Sequence, residues 1–303
     1  MPTYAPDIWF PNLGIWFQNV STYIISIGGF EIYWYAVFIV LGIICAALIA
    51  FWYAAKTGQK VSDYMDLLLL GVVLAFIGLR LYYMIFNWDL YRERNFFAAF
   101  FDIRGGGLAI YGGILGALLA GFIISRRKNI PIYTITDTAG PSLALGQAIG
   151  RFGNFTNREA FGGYTDNLFA MRIRVDQAGS PITNLPRIYE LGVEYVQVHP
   201  TFLYESVFNF LLVTALVIYR PHKRFEGEMI FLYMLGYGAA RFFIEGLRTD
   251  QLIFFGTGLA ASQIMSVIFV IFAAVMLFRG YTGRIKPKTE PVATKGKRRR
   301  RKK

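Results

Sequence analysis

A chain of 303 residues that is 55% hydrophobic and 17% charged falls well below the roughly 25% charged residues of a soluble domain. One cysteine and two histidines exclude an internal disulfide and suggest no metal centre, and no cofactor is indicated. The formal charge of +12 is concentrated at the C-terminal end, where residues 284–303 hold eleven Lys and Arg against one Glu.

Apolar runs near ~20 residues recur, the length at which a helix crosses a bilayer core. The fold class expected is an all-α polytopic membrane protein, with about seven transmembrane helices and a small extracytoplasmic head. Residues 8–27 carry Trp9, Phe10, Trp16, Phe17 and Tyr23 and read as an interfacial segment on the outer leaflet. A mobile N-terminus with incidental aromatics is the alternative. No Lys or Arg precedes Lys56, so no cationic leader region and no cleavable signal peptide is expected. The spans fall at 30–54, 63–86, 106–125, 133–152, 200–219, 228–246 and 260–279, the fourth and sixth being the least apolar. Between the fourth and fifth, the β-branched pieces Arg172–Val175 and Tyr195–Val198 predict a short strand pair. The organisation expected is a membrane domain over 1–283, with 153–198 as a head insertion, and a disordered basic tail over 284–303.

Lys and Arg set the orientation. Lys56 and Lys60, Arg126 to Lys128, Arg220 to Arg224 and the tail follow spans one, three, five and seven, which places them inside the cell by the positive-inside rule. The N-terminus is then outside and the C-terminus cytoplasmic. The tail Lys297–Lys303 reads as an anchor on anionic lipid. Without interleaved aromatics or a folded module it does not indicate a nucleic-acid partner.

Four polar clusters stand where hydrocarbon penalises them. Arg151 is followed by Asn154, Asn157 and Glu159. Tyr237, Arg241, Glu245 and Arg248 share one helical stripe, on which Glu245 can hold both arginines. An ion pair that only locks two helices is the competing reading of that stripe. His199-Pro200-Thr201-Phe202-Leu203-Tyr204-Glu205 opens span five. His199 reads either as a structural partner or as a proton-handling group, and Glu205 as facing the bundle. Gly105–Gly113, interrupted by Tyr111, opens span three and serves either close helix packing or exposed amides beside an anion. Tyr35, Arg80 and Asp137 add polar positions at membrane depth, and Asp137 and Arg80 can pair with each other. Cationic groups outnumber anionic ones in these spans. Guanidinium recognises phosphate oxygens in a planar, bidentate fashion, so the residues point to a phospholipid headgroup. They do not say what happens to the lipid. An anion or phospholipid transporter and a non-catalytic scaffold are the other classes considered, the first weakened by the lack of inverted repeats.

At these motifs the chain resembles the prolipoprotein diacylglyceryl transferase family. The resemblance is carried by Gly150–Glu159 with Gly162, by His199–Glu205, by Tyr237…Arg241…Glu245…Arg248…Asp250 and by the glycine-rich run, in the family's order. It implies a multi-pass protein of the bacterial cytoplasmic (inner) membrane. Its reaction passes a diacylglyceryl group from phosphatidylglycerol to the lipobox cysteine of a preprolipoprotein and releases glycerol phosphate. Membrane lipid and signal peptide enter from the bilayer, and signal peptidase II acts next. By the resemblance, Arg151 binds phosphatidylglycerol with Asn154, Asn157, Glu159 and Gly162. Arg241 stabilises the leaving phosphate and is oriented by Glu245 and Arg248. Tyr35, Asp137, Tyr237, His199 and Gly112 match further positions of the site. Tyr111 stands where many members carry a His proposed as base. A phenol with an ordinary pKa near ~10 is a poor base, so a binding role is preferred for it. Phe202 replaces the usual Gln.

Overall fold

The computed structural model describes residues 2, 4–102, 106–254 and 256–285. In chain order the strands and helices are β1 (Ile8–Phe10), β2 (Ile15–Phe17), β3 (Tyr23–Ile27), β4 (Phe30–Tyr33), α1 (Trp34–Lys56), α2 (Val61–Phe86), α3 (Phe96–Phe101), α4 (Ile110–Lys128), α5 (Ile132–Asn157), β5 (Met171–Arg174), β6 (Arg187–Glu190), β7 (Val193–Val198), α6 (Thr201–Tyr219), α7 (Glu228–Leu247) and α8 (Ala261–Tyr281). All seven expected spans are helices. Six are long and apolar enough to cross a membrane. The seventh, α5, has the length, at 26 residues, but carries Thr, Asn, Gln and Asp among its apolar positions. The chain is a multi-pass membrane protein. The expected basic tail lies almost wholly outside the described residues.

Two compact units divide the chain, with boundaries inside α1 and α5. The larger takes in residues up to Ile49 and from Ala139 onward. Its non-membrane part is a five-stranded antiparallel sheet in the order β2-β1-β5-β7-β6. The expected strand pair is its centre, with Met171 opposite Val198 and Arg174 opposite Tyr195. Alternation points Met171 and Ile173 of β5 inward, where they pack with Ile8, Phe10, Phe161, Val196, Val198 and Phe202. Of the aromatic segment 8–27, Trp16, Phe17 and Tyr23 are exposed in β2 and β3, whereas the expected surface position does not hold for residues 8–10. Ile8, Trp9 and Phe10 are buried in β1: sheet pairing satisfies their backbone, Ile8 and Phe10 enter the core, and Trp9 on the other face packs against Arg172 and Tyr195. A hairpin of β3 and β4 leads into α1.

The smaller unit runs from Ala50 to Thr138 and is built on α2 packed against α4. A Cβ on Gly112 would collide with the Gly78 carbonyl oxygen and with Tyr82, so these glycines let two backbones touch. Lys128 closes α4 and reaches Asp63 at 3.4 Å and Asp66 at 2.7 Å on the first turns of α2. The span expected from residue 106 starts only at Ile110. Gly106 and Gly107 precede it with φ of 83° and 81°, a left-handed backbone that glycine adopts freely and a right-handed helix does not contain. Their carbonyls are held by Arg80. The suggested Arg80–Asp137 pairing is therefore replaced by a different use of Arg80, while Asp137 is buried on α5.

Candidate active site

The larger unit holds a chain of alternating charges on α5, α6 and α7. Arg151 donates from Nη2 to Glu205 Oε1 at 2.6 Å. Arg241 donates from Nη1 to the other oxygen, Glu205 Oε2, at 2.7 Å. Arg241 Nη2 lies 2.5 Å from Glu245 Oε2, and Arg248 lies 3.6 Å from the same oxygen. Arg248 then forms a two-pronged bond to Asp250 at 2.9 and 2.8 Å. The order Arg151–Glu205–Arg241–Glu245–Arg248–Asp250 begins on a cation and ends on an anion.

Each helix supplies its part for a local reason. The 3.6-residue period stacks Arg241 under Glu245 at i, i+4, as the stripe predicts. Glu205 lies one turn into α6, which Pro200 precedes without a lost hydrogen bond because the first-turn amides have no helical partner. With its side chain 3% exposed, Glu205 is viable as an ion only because two guanidiniums share it. Its role was hidden in the sequence, since its partners lie 54 and 36 residues away. The readable signal was an acid inside an otherwise apolar helix.

The expected surplus of guanidinium is not found in this cluster: each of the three arginines has a carboxylate partner. The structural ion-pair reading of the stripe is thus part of the truth. What distinguishes Arg151 is its place at the end of the chain. Its side chain is the most exposed of the three, at 21% against 13% and 15%. Its ion pair is with Glu205, Asn154 accepts a longer bond of 3.3 Å from Nη1, and the Tyr237 side chain is a further hydrogen-bond partner. Glu159 does not touch Arg151 directly. It accepts from Asn154 Nδ2 at 2.8 Å and so fixes the amide's orientation.

Tyr35 stands beside this end. A Cβ on Gly153 would come 2.7 Å from its ring, so the glycine makes room for it. Arg151, Glu159 and Arg248 all act on its hydroxyl electrostatically. Tyr237 is likewise influenced by Glu205, Arg151 and Arg241, and its ring stacks on Tyr233. Gly162 acts through its backbone. It donates to the His199 carbonyl at 2.9 Å and bridges to Arg248, tying the segment after α5 to the starts of α6 and the end of α7. His199 faces Tyr204 at 3.2 Å, which also receives a bond from Asn167. Burial pushes the His199 imidazole below its ordinary value, so it is neutral at pH 7. Burial alone would raise the Asp250 carboxyl, but the Arg248 guanidinium outweighs it and holds it below the ordinary value.

Among the described residues, no hydrogen bond joins the Asn157 side chain to this cluster. Asn157 closes α5. Tyr111, Gly112 and Asp137 belong to the smaller unit. Tyr111 is 39% exposed on the first turn of α4, with Tyr82 beside it. Gly112 is taken up by contact with α2. Phe202, in the place of a Gln, is buried against Phe152 and Phe155 with ring centres 6.0 and 5.0 Å apart.

Residues 22–279 match the family described as prolipoprotein diacylglyceryl transferase. Three similar proteins are each named phosphatidylglycerol--prolipoprotein diacylglyceryl transferase. That of Finegoldia magna is 40% identical over 83% of this chain and 92% of its own length. That of Clostridioides difficile is 40% identical over 80% and 88%. A Bacillus cereus relative is 36% identical over 84% and 89%. With the match extending over the arginine chain and every helix that carries it, this protein belongs to the prolipoprotein diacylglyceryl transferase family.

Proposed function

We propose that this chain transfers the diacylglyceryl group of phosphatidylglycerol to the lipobox cysteine of a prolipoprotein, and that Arg151 receives the lipid's phosphate. The observation that carries the assignment is the convergence of Arg151 and Arg241 on the two oxygens of Glu205. A buried carboxylate holds two guanidiniums in fixed geometry, and Arg151, the more exposed side chain of the two, stands at the end of the charge chain. An anion at that point completes the alternation of charge.

The reaction then needs few parts. The substrate's sulfur forms a C–S bond to the glyceryl carbon, and the C–O bond to phosphate breaks. The electron pair leaves on the phosphate oxygen, and the thiol proton passes to a base or to the departing phosphate. Charge grows on the leaving group, where fixed cations lower the barrier without reorganising. Arg151 binds the diester, and Arg241 stabilises the leaving monoester. Asn154 and Glu159 set the position of Arg151, while Glu245 and Arg248 set that of Arg241. Tyr35 and Tyr237 shape the pocket, with Gly162 and His199 fixing its frame. We assign Tyr111 and Asp137 to substrate contact, and Gly112 to the packing that positions Tyr111. Asn157 is kept as an outer member. The same reading puts the chain in the bacterial cytoplasmic membrane, N-terminus outside and C-terminus inside, with signal peptidase II acting on the product.

The test is transfer in vitro from phosphatidylglycerol to a lipobox peptide, read by mass spectrometry. A diacylglyceryl mass gain on the cysteine is expected. Movement of lipid or anion across intact liposomes with no covalent product would support the transporter reading instead.

A further inference from the structure

Beside the charge chain lies an apolar groove of about 450 Å³, formed wholly within the larger unit. Its walls include Phe10 and Phe17 of the head strands, Trp34 of α1, Phe152 and Phe155 of α5 and Phe202 of α6. The groove begins close to the charges. Phe155 is one helical turn beyond Arg151, and Phe202 one turn before Glu205, a distance of ~5.4 Å along each helix.

We propose that this groove holds one acyl chain of the phospholipid whose phosphate meets Arg151. The proposal rests on the lipid-transfer reading and names a subsite for it. Three features select a hydrocarbon chain. Thr156 is the sole lining side chain with a hydroxyl, and its Oγ1 already donates to the Gly153 carbonyl at 2.9 Å. An extended peptide would therefore leave its backbone groups unsatisfied here, which is costly in an apolar setting. The volume excludes a signal helix, whose diameter with side chains is ~10–12 Å. At the ~30 Å³ of a water-sized group the groove takes roughly fifteen such groups, the scale of an acyl chain rather than of one leucine side chain. Phe202 adds an aromatic wall where a Gln would present a polar amide.

The test uses the full-length protein in bilayer nanodiscs. Phosphatidylglycerol bearing a diazirine midway along one acyl chain is photolysed, and adducts are mapped by mass spectrometry. Adducts on residues 152–156 and 202–203, displaced by unlabelled phosphatidylglycerol but not by phosphatidylcholine, are expected. Adducts confined to other segments overturn the proposal, and so does equal labelling by a phosphatidylcholine probe with the same chain. A second arm compares dipalmitoyl with dihexanoyl phosphatidylglycerol as donors. Phe155→Trp should raise KM for the long-chain donor about tenfold, what losing the burial of roughly two methylenes costs, and leave the short-chain donor unchanged. Equal effects on both donors contradict the proposal. If Phe155→Trp fails to fold, the labelling of the unsubstituted chain decides. Absence of transfer from either donor by the unsubstituted protein would sink the functional reading, while the labelling pattern still reports on the groove.

Discussion

Two arginines on membrane-spanning helices, Arg80 and Arg151, meet the same physical demand in different ways. Arg80 is 1% exposed and spends its guanidinium on backbone. Nε donates to the Phe100 carbonyl, Nη1 to Gly106 and Gly107, and Nη2 to Ala99 and Asp102. A guanidinium has five N–H donors, and these five carbonyls account for them. Arg80 has no capacity left for a ligand. Arg151 instead divides its guanidinium among three side chains, the Glu205 carboxylate, the Asn154 amide and the Tyr237 hydroxyl, and its side chain is 21% exposed. An intramembrane arginine is therefore not by itself a binding site. What separates structure from function is whether its donors are already used.

Substitution can break this contrast at several points. The largest effect belongs to Glu205→Gln, which removes the anion common to Arg151 and Arg241. Stripping one partner from a buried ion network costs about 3–5 kcal/mol. Thermal unfolding in detergent should show that loss, and transfer should fall with it. A Glu205→Gln protein with unchanged stability would mean the charge chain is ornamental. Next comes Arg80→Lys. Three ammonium donors cannot serve five carbonyls, and each buried carbonyl left unmet costs about 1–3 kcal/mol. Stability should fall while the folded fraction keeps its affinity for phosphatidylglycerol. Affinity falling in proportion would erase the distinction between the two arginines. The smallest effect is expected for Tyr111→Phe. If Tyr111 contacts substrate without acting as base, kcat should stay within about threefold and the pH profile should keep its shape, since general-base loss costs about 10²–10⁴-fold. Inactivity of Tyr111→Phe, with Tyr111→His restoring turnover on a new pH profile, would reverse that assignment.

Much of this was legible in the sequence because lipid makes the rules strict. Uncharged runs gave the helices, and the i, i+4 stripe from Tyr237 to Arg248 gave half of the charge chain. The β-branched pieces at 172–175 and 195–198 pointed to the strand pair that forms at Met171–Arg174 and Val193–Val198. What escaped was long-range. Nothing local marks Glu205 as the hinge between Arg151 and Arg241, so counting charges span by span suggested a surplus of cations that pairing across helices removes. Arg80 looked like a partner for Asp137 because sequence does not show loop carbonyls. The burial of Ile8–Phe10 escaped because a three-residue strand such as β1 has no periodicity to read until its partner β5 is known. Phe202 registered as a departure from a motif, and only its packing against Phe152 and Phe155 shows an apolar wall.

The central claim is that Arg151, at the cationic end of the charge chain, takes the lipid's phosphate. Binding of phosphatidylglycerol to wild type and to Arg151→Ala tests it most directly, with diacylglycerol of the same chains as the phosphate-free control and native mass spectrometry as the readout. Loss of a charge-assisted contact worth about 1.5–3 kcal/mol should weaken phosphatidylglycerol retention roughly ten- to a hundredfold and leave diacylglycerol unaffected. Equal retention of phosphatidylglycerol by both proteins would contradict the account.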